Sequence, residues 1–195
     1  MILIGWDVGI KNLAYCVINY NIKTHKYKII GWDIIDLRGE EQKCKKNCLK
    51  ILSLNLFKKL EEIKELKNFE YVIIENQPVL KNPTMKSIQM ILFSYFSFKS
   101  IKNKKFKDLV LMNASNKLKV YTKEIESERF DKINSLKNKY NRNKKIAILH
   151  TELMLTELGD PDKLEYFKQN KKKDDLADSY LMIMYFIKKK IIENK

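Results

Sequence analysis

Residues 1–20, MILIGWDVGIKNLAYCVINY, decide how the rest of the chain is read. Ile2 to Trp6 is an apolar run that stops at Asp7, and Gly9 and the pair Lys11-Asn12 punctuate the connection to the next run. Leu13 to Tyr20 is a second apolar run, and residues 28–35 form a third after a polar break at 21–25. Three such runs with short connections predict an antiparallel meander. Asp7 is the unusual feature, because a charge at the end of a buried strand costs desolvation unless something binds it.

The same arrangement recurs downstream. Tyr71-Val72-Ile73-Ile74-Glu75 reads as a buried central strand that again ends in an acid. Before it, Leu49, Leu52, Leu56, Leu60 and Ile63 fall at helical spacing and predict an amphipathic helix within 41–67. After it, Pro78 and Pro83 bracket a loop, residues 85–98 form an unusually apolar helix, and 109–112 read as a further strand. The chain then turns polar until helices predicted at 144–158 and 173–192. The order βββ-α-β-α-β-α-α, without repeat or linker, predicts one α/β domain over residues 1–195.

The chain of 195 residues carries a formal charge of +15 and is 45% hydrophobic. That supports a packed core and argues against wholesale disorder. A charge of this size points to a polyanionic partner, nucleic acid before membrane surface. It is also uneven, since residues 99–145 hold fifteen lysines and arginines against five acids. A merely solvating surface needs no such concentration, whereas a phosphate backbone would exploit it.

Cys16, Cys44 and Cys48, with no secretory signal, suggest an intracellular, reducing compartment. No apolar run reaches the roughly 18–20 residues of a membrane span. Cys44 and Cys48 fit two thiols on one helix face better than a metal site, since no second pair completes one. With His25 and His150 as the only histidines, acid–base chemistry falls to carboxylates and lysines.

Asp7, Glu75 and the pair Asp175 and Asp178 form the candidate constellation. Adjacent strand ends would bring Asp7 and Glu75 together, and spacing i, i+3 puts Asp175 and Asp178 on one helix face. Asp7 taken alone reads as a turn residue, and the two late aspartates as favourable partners of a helix dipole. Glu75 has no such structural reason. Four carboxylates in one pocket repel one another, and divalent cations relieve that repulsion. Oxygen ligands without His or Cys select Mg²⁺, with Mn²⁺ able to substitute. Two such ions about 4 Å apart suit in-line phosphodiester displacement.

Four blocks carry a resemblance. Gly5-Trp6-Asp7-Val8-Gly9-Ile10-Lys11-Asn12, Ile74-Glu75-Asn76-Gln77, the segment Asn82 to Gln89 containing Met85-Lys86 and Ile88-Gln89, and Lys172 to Ser179 stand in the order and spacing of the poxvirus-type Holliday junction resolvases. That family is related to bacterial RuvC and the mitochondrial resolvases within the ribonuclease H superfamily. The resemblance covers nearly the whole chain. It implies a ribonuclease H-like fold, a mixed five-stranded sheet flanked by helices, and a homodimer that cuts four-way DNA junctions by paired nicks with two Mg²⁺ per active site. By position, Asp7, Glu75, Asp175 and Asp178 would be catalytic metal ligands. Asp174 stands as an alternative to Asp175, the family pattern favouring Asp175.

The family also keeps a lysine close to the metals, and Tyr140 to Ile146 is similar to its setting. Lys145 is the first choice for that catalytic role and Lys144 the second, as a contact to the scissile phosphate. Lys117 and Lys11 are expected on the DNA backbone, and Lys86 and Gln89 facing the junction. Ile88, Ile91, Leu92, Tyr95 and Phe96 read as core. Met90, Phe93 and Phe98 leave apolar surface for a dimer partner. Trp6, Trp32 and the tyrosines are candidates for stacking on opened bases, though packing explains most of them. The chain is therefore expected to be a junction-resolving endonuclease. A less selective nuclease for flaps or RNA–DNA hybrids and a non-catalytic junction-binding protein are the alternatives. The Lys/Ile/Asn-rich composition suggests an AT-rich genome, and the resemblance implies a large DNA virus, with action in the host cytoplasm or at the site of viral replication; a mitochondrial or cellular source is the alternative.

Overall fold

The computed structural model describes residues 1–38, 48–80, 82–125 and 127–193. Strands β1 (Ile2–Asp7), β2 (Leu13–Tyr20), β3 (Tyr27–Ile35), β4 (Tyr71–Glu75) and β5 (Asp108–Met112) form one five-stranded sheet among the described residues, in the order β3-β2-β1-β4-β5. The first three are the antiparallel meander expected from the sequence. β4 lies parallel to β1 and β5 parallel to β4. The sheet is therefore mixed, with β1 and β4 both buried beneath helices on two faces.

Helices α1 (Leu49–Glu62) and α2 (Pro83–Ser100) cover one face. Ile4 and Trp6 of β1 and Val72 and Ile74 of β4 pack there with Leu52, Leu56, Ile88, Leu92 and Phe96. Helix α6 (Lys173–Phe186) crosses the other face, where Leu3 and Ile73 meet Leu176, Tyr180 and Ile183. Side chains alternate along a strand, so Asp7 follows Leu3 and Glu75 follows Ile73 onto the α6 side. Gly5 lies on that side too. A Cβ at Gly5 would collide with the carbonyl oxygen of Ser179 and come within 2.6 Å of Ile183 Cγ1, so glycine lets α6 sit close on β1.

Several boundaries differ from the sequence expectation. α4 runs from Lys139 to Leu158, five residues longer at its start than predicted, because Asn138 caps it by accepting from the Asn141 amide at 3.1 Å. The short helices α3 (Glu128–Asn134) and α5 (Pro161–Gln169) were absent from the expectation. Ser127 and Asp160 cap them, a signal the apolar periodicity was too weak to raise. α6 is continued by wider, π-type turns over Ile187–Ile192. Cys44 and the predicted helix start at 41–47 lie outside the described residues. No helix among the described residues is long and apolar enough to cross a membrane.

Trp6 and Trp32 are corrected as base-stacking candidates, since both are buried. The Trp32 indole stacks on Phe167 and donates to the Leu176 carbonyl at 3.1 Å, which ties the meander to α6.

Candidate active site

Parallel pairing of β1 and β4 sets Trp6 opposite Ile74, so the next residues, Asp7 and Glu75, emerge side by side at the same end of the sheet. Both are largely buried, at 9% and 8% exposure. α6 starts above these strand ends and brings Asp175 and Asp178 to them. The four acids line one cleft of about 610 Å³ with Lys11, Gln77, Lys117, Tyr140 and Lys144. A larger cleft of about 830 Å³, beside His25 and Met154, has Glu157 as its one acidic lining residue among those described.

The electrostatics of the acid cleft are strained. Burial, and then repulsion from the adjacent Glu75 carboxyl, raises the Asp7 carboxyl well above the usual carboxylate range. Burial pushes Asp178 up to about 6 even though Lys117 opposes the shift. Burial, then the charge of Asp174, also raises Asp175, whose Oδ2 is buried without a hydrogen-bond partner. These groups are short of positive charge.

Lys117 supplies part of what is missing. It lies in a 3₁₀ turn, Ala114–Lys119, just after β5. Its ammonium donates to Asp178 Oδ2 and lies 3.9 Å from Glu75 Oε1. Desolvation works against its charge, but Asp178, Glu75 and Asp7 together outweigh it and raise the lysine. Lys117 was expected on the DNA backbone; the structure sets it among the acids. The sequence signal was only a lysine in a strand-to-loop segment, which does not tell depth.

Lys144 and Lys145 exchange places relative to the expectation. Lys144 lines the acid cleft, and its Nζ lies 2.5 Å from Asp174 Oδ2 and 4.8 Å from the Tyr140 ring centroid. Burial would raise Asp174, but the Lys144 hydrogen bond wins and holds it below the ordinary range. Asp174 is thus Lys144's partner, and Asp175 is the aspartate lining the cleft. Lys145 points to a separate groove with Arg129, Glu152 and Lys173. One helical residue rotates a side chain by about 100°, so consecutive lysines on α4 cannot share a face.

Gln89 is also corrected. It is fully buried, and its Oε1 accepts from the Gln77 amide at 2.7 Å and from Lys86 Nζ at 3.2 Å. It braces the segment after β4 and faces no open surface. Lys86 also donates to Asn76 Oδ1 at 3.0 Å, outside the acid cleft. Lys11 is exposed on the cleft rim. Gln77, to which its motif alone assigns no role, donates from Nε2 to Glu75 Oε2 at 2.9 Å and orients that carboxylate.

No group of three Asp, Glu, His or Cys side chains among the described residues is drawn together as a ligand set. Lys117 stands among the acids in place of one. The donor set nevertheless fits hard divalent cations. It is all oxygen, it contains an orphaned buried carboxylate oxygen on Asp175, and burial and mutual repulsion leave it short of positive charge.

No protein-family model matches the chain. Over 143 residues it is 38% identical to an uncharacterized protein of Acanthamoeba polyphaga mimivirus, a match that covers 70% of this chain and 34% of that protein. The chain thus spans about a third of that relative's length. Its structure is similar to that of the fowlpox virus resolvase in complex with substrate Holliday junction DNA, with a TM-score of 0.61, 24% identity, and coverage of 97% of this chain and 98% of that one. It is similar too to the yeast mitochondrial Holliday junction resolvase, with a TM-score of 0.62, 18% identity, and coverage of 95% and 78%. The chain has the ribonuclease H-like fold of these resolvases, a mixed five-stranded sheet flanked by helices.

Proposed function

We propose that this chain is a metal-dependent, structure-selective endonuclease that resolves four-way DNA junctions. One observation carries the reading: Asp7, Glu75, Asp175 and Asp178 line one cleft together with lysines. A binding protein has no use for a repulsive acid cluster at the point where phosphate would approach. The fold likeness to the fowlpox resolvase, whose structure holds junction DNA, supports the choice of substrate. The likeness to a mimivirus protein supports a viral setting, with action in the host cytoplasm or at the site of viral replication.

Asp7, Glu75, Asp175 and Asp178 are the proposed ligands of two Mg²⁺, for which Mn²⁺ substitutes. Bound there, the ions would lower the pKa of a water and stabilise developing charge on the phosphate. The protein's own groups do the rest. Gln77 holds the Glu75 carboxylate in orientation. Lys11 and Lys144 meet the phosphate backbone at the rim, and Asp174 keeps Lys144 aimed. Lys117 offsets the charge of Asp178 and Glu75 and would meet the scissile phosphate beside them.

Paired nicks on opposing strands need two such clefts, hence a homodimer. Met90 and Phe98 remain 43% and 69% exposed on α2, next to the fully buried Ile88, Leu92 and Phe96, and offer the apolar surface for it.

The test is cleavage of a synthetic four-way junction beside a matched linear duplex and an RNA–DNA hybrid, with Mg²⁺ and with EDTA. Symmetrical nicks in the junction alone, lost with EDTA, are the expected result. Cutting of hybrid or duplex would overturn the substrate, and binding without cutting would leave a scaffold protein.

A further inference from the structure

Among the described residues, three Phe, Tyr or Trp rings stand exposed: Phe57, Phe98 and Tyr140. Phe57 stacks on Tyr95 between α1 and α2, away from the acids, with ring centroids 5.8 Å apart. Phe98 lies on the outer side of α2. Tyr140 alone of the three lines the acid cleft. At 66% exposure it buries little surface, so it contributes little to packing on α4. No ring–ring contact holds it, and what it touches is Lys144, whose ammonium lies 4.8 Å from its centroid.

That contact orients the ring. Lys144 is anchored at 2.5 Å by Asp174, and its ammonium meets both the Tyr140 ring and the phenol hydroxyl, to which it hydrogen-bonds. The result is a phenol plane at the mouth of a cleft of about 610 Å³, beside a fixed positive charge. A flat π surface next to a cation matches a nucleotide, which presents a flat base and an adjoining phosphate.

We propose that Tyr140 is a stacking platform for one nucleobase opened beside the cut, with Lys144 on the phosphate next to it. The ligand is an unpaired or splayed nucleotide of a DNA strand, which branch points supply at low cost because the stack is already broken there. The assignment rests on the nuclease reading above and adds a base subsite to it. It also makes the cleft sensitive to which base occupies that position, since purines offer the larger face.

The test uses the full chain in EDTA, bound to four-way junctions carrying 2-aminopurine at successive positions around the branch. The variants are Tyr140→Phe, Tyr140→Ala and Tyr140→Leu, with thermal melts to verify folding. One 2-aminopurine position should report a Tyr140-dependent signal that is retained in Tyr140→Phe and lost in Tyr140→Ala and Tyr140→Leu. Junction affinity should fall about tenfold in those two, the scale of one stacked base. Equal behaviour of all four proteins overturns the platform while leaving the nuclease reading intact. Equal loss in Tyr140→Phe and Tyr140→Ala would make the hydroxyl the contact and also overturn it. Failure of the wild type to prefer junction over duplex would overturn the substrate reading, and the subsite with it.

Discussion

Gly5 of β1 faces the carbonyl oxygen of Ser179 on α6 with no room for a side chain between them. This contact sets the height of α6 above the sheet. Asp175 and Asp178 precede Ser179 on the same helix, so the distance between strand and helix is also the distance between the two halves of the acid cluster. Packing and chemistry are thus coupled at a residue that carries no functional group.

Gly5→Ala should therefore lose both. Overpacking of this kind costs ~1–3 kcal/mol, and the backbone oxygen of Ser179 has no freedom to yield. Since ~1 kcal/mol moves the melting point of a chain this size by roughly 2–4 °C, calorimetry should show a drop of several degrees. Cleavage should fall further than the lost stability explains, and unchanged activity would show that α6 height does not matter.

Asp7→Asn should abolish cleavage, by ~10³-fold or more, while junction binding is kept or improved. The neutral side chain removes a ligand and also a charge that repels the phosphate. Loss of folding in circular dichroism would make Asp7 a structural residue instead.

The raised carboxyl of Asp178, at about 6, makes a signed prediction for the metal-free protein. A folded pKa above the unfolded value means stability that is complete below pH ~4 and is lost as pH rises through about 6. Asp178→Asn removes this loss. Its melting point relative to wild type should rise between pH ~4 and pH ~7 in EDTA, and Mg²⁺ should raise the wild type most at the upper end. A pH-independent difference between the two would contradict the burial argument.

Lys144→Ala and Lys145→Ala should separate. Lys144 lines the acid cleft, so its loss should lower kcat more than affinity. Lys145 faces another groove, so its loss should weaken binding slightly, with a salt slope smaller by at most about 0.9. Single-turnover kinetics with a salt titration distinguish them, and matched effects would return both to plain backbone contacts.

Introducing charge on α2 with Phe98→Glu and Met90→Glu should yield a monomer by sedimentation, since anchors of such a patch are worth ~2 kcal/mol or more each. Nicks should then appear singly rather than in pairs. A wild type that sediments as a monomer would end the paired-cleft scheme.

Residues 1–20 and 71–75 make the sheet and its two terminal acids legible along the chain itself, because alternation, apolar runs and a misplaced charge are local properties of a strand. The i, i+3 spacing of Asp175 and Asp178 likewise follows from the helix repeat alone. The lysines are different. Lys117, Lys144 and Lys145 are alike in the sequence, yet one sits among the acids, one on the rim and one outside the cleft. What separates them is the turn after β5, the helical phase of α4 set by its cap at Asn138, and the partner that each ammonium finds. A long flexible side chain goes to the carboxylate the fold brings near, and that carboxylate comes from a distant part of the chain: Asp174 for Lys144, Asp178 for Lys117. Gln89 shows the same limit, since only burial against the Gln77 amide distinguishes a brace from an exposed DNA contact. The identities of the acids were local information; which cation answers each of them was decided by tertiary structure, because charge pairing depends on distance through space and not along the chain.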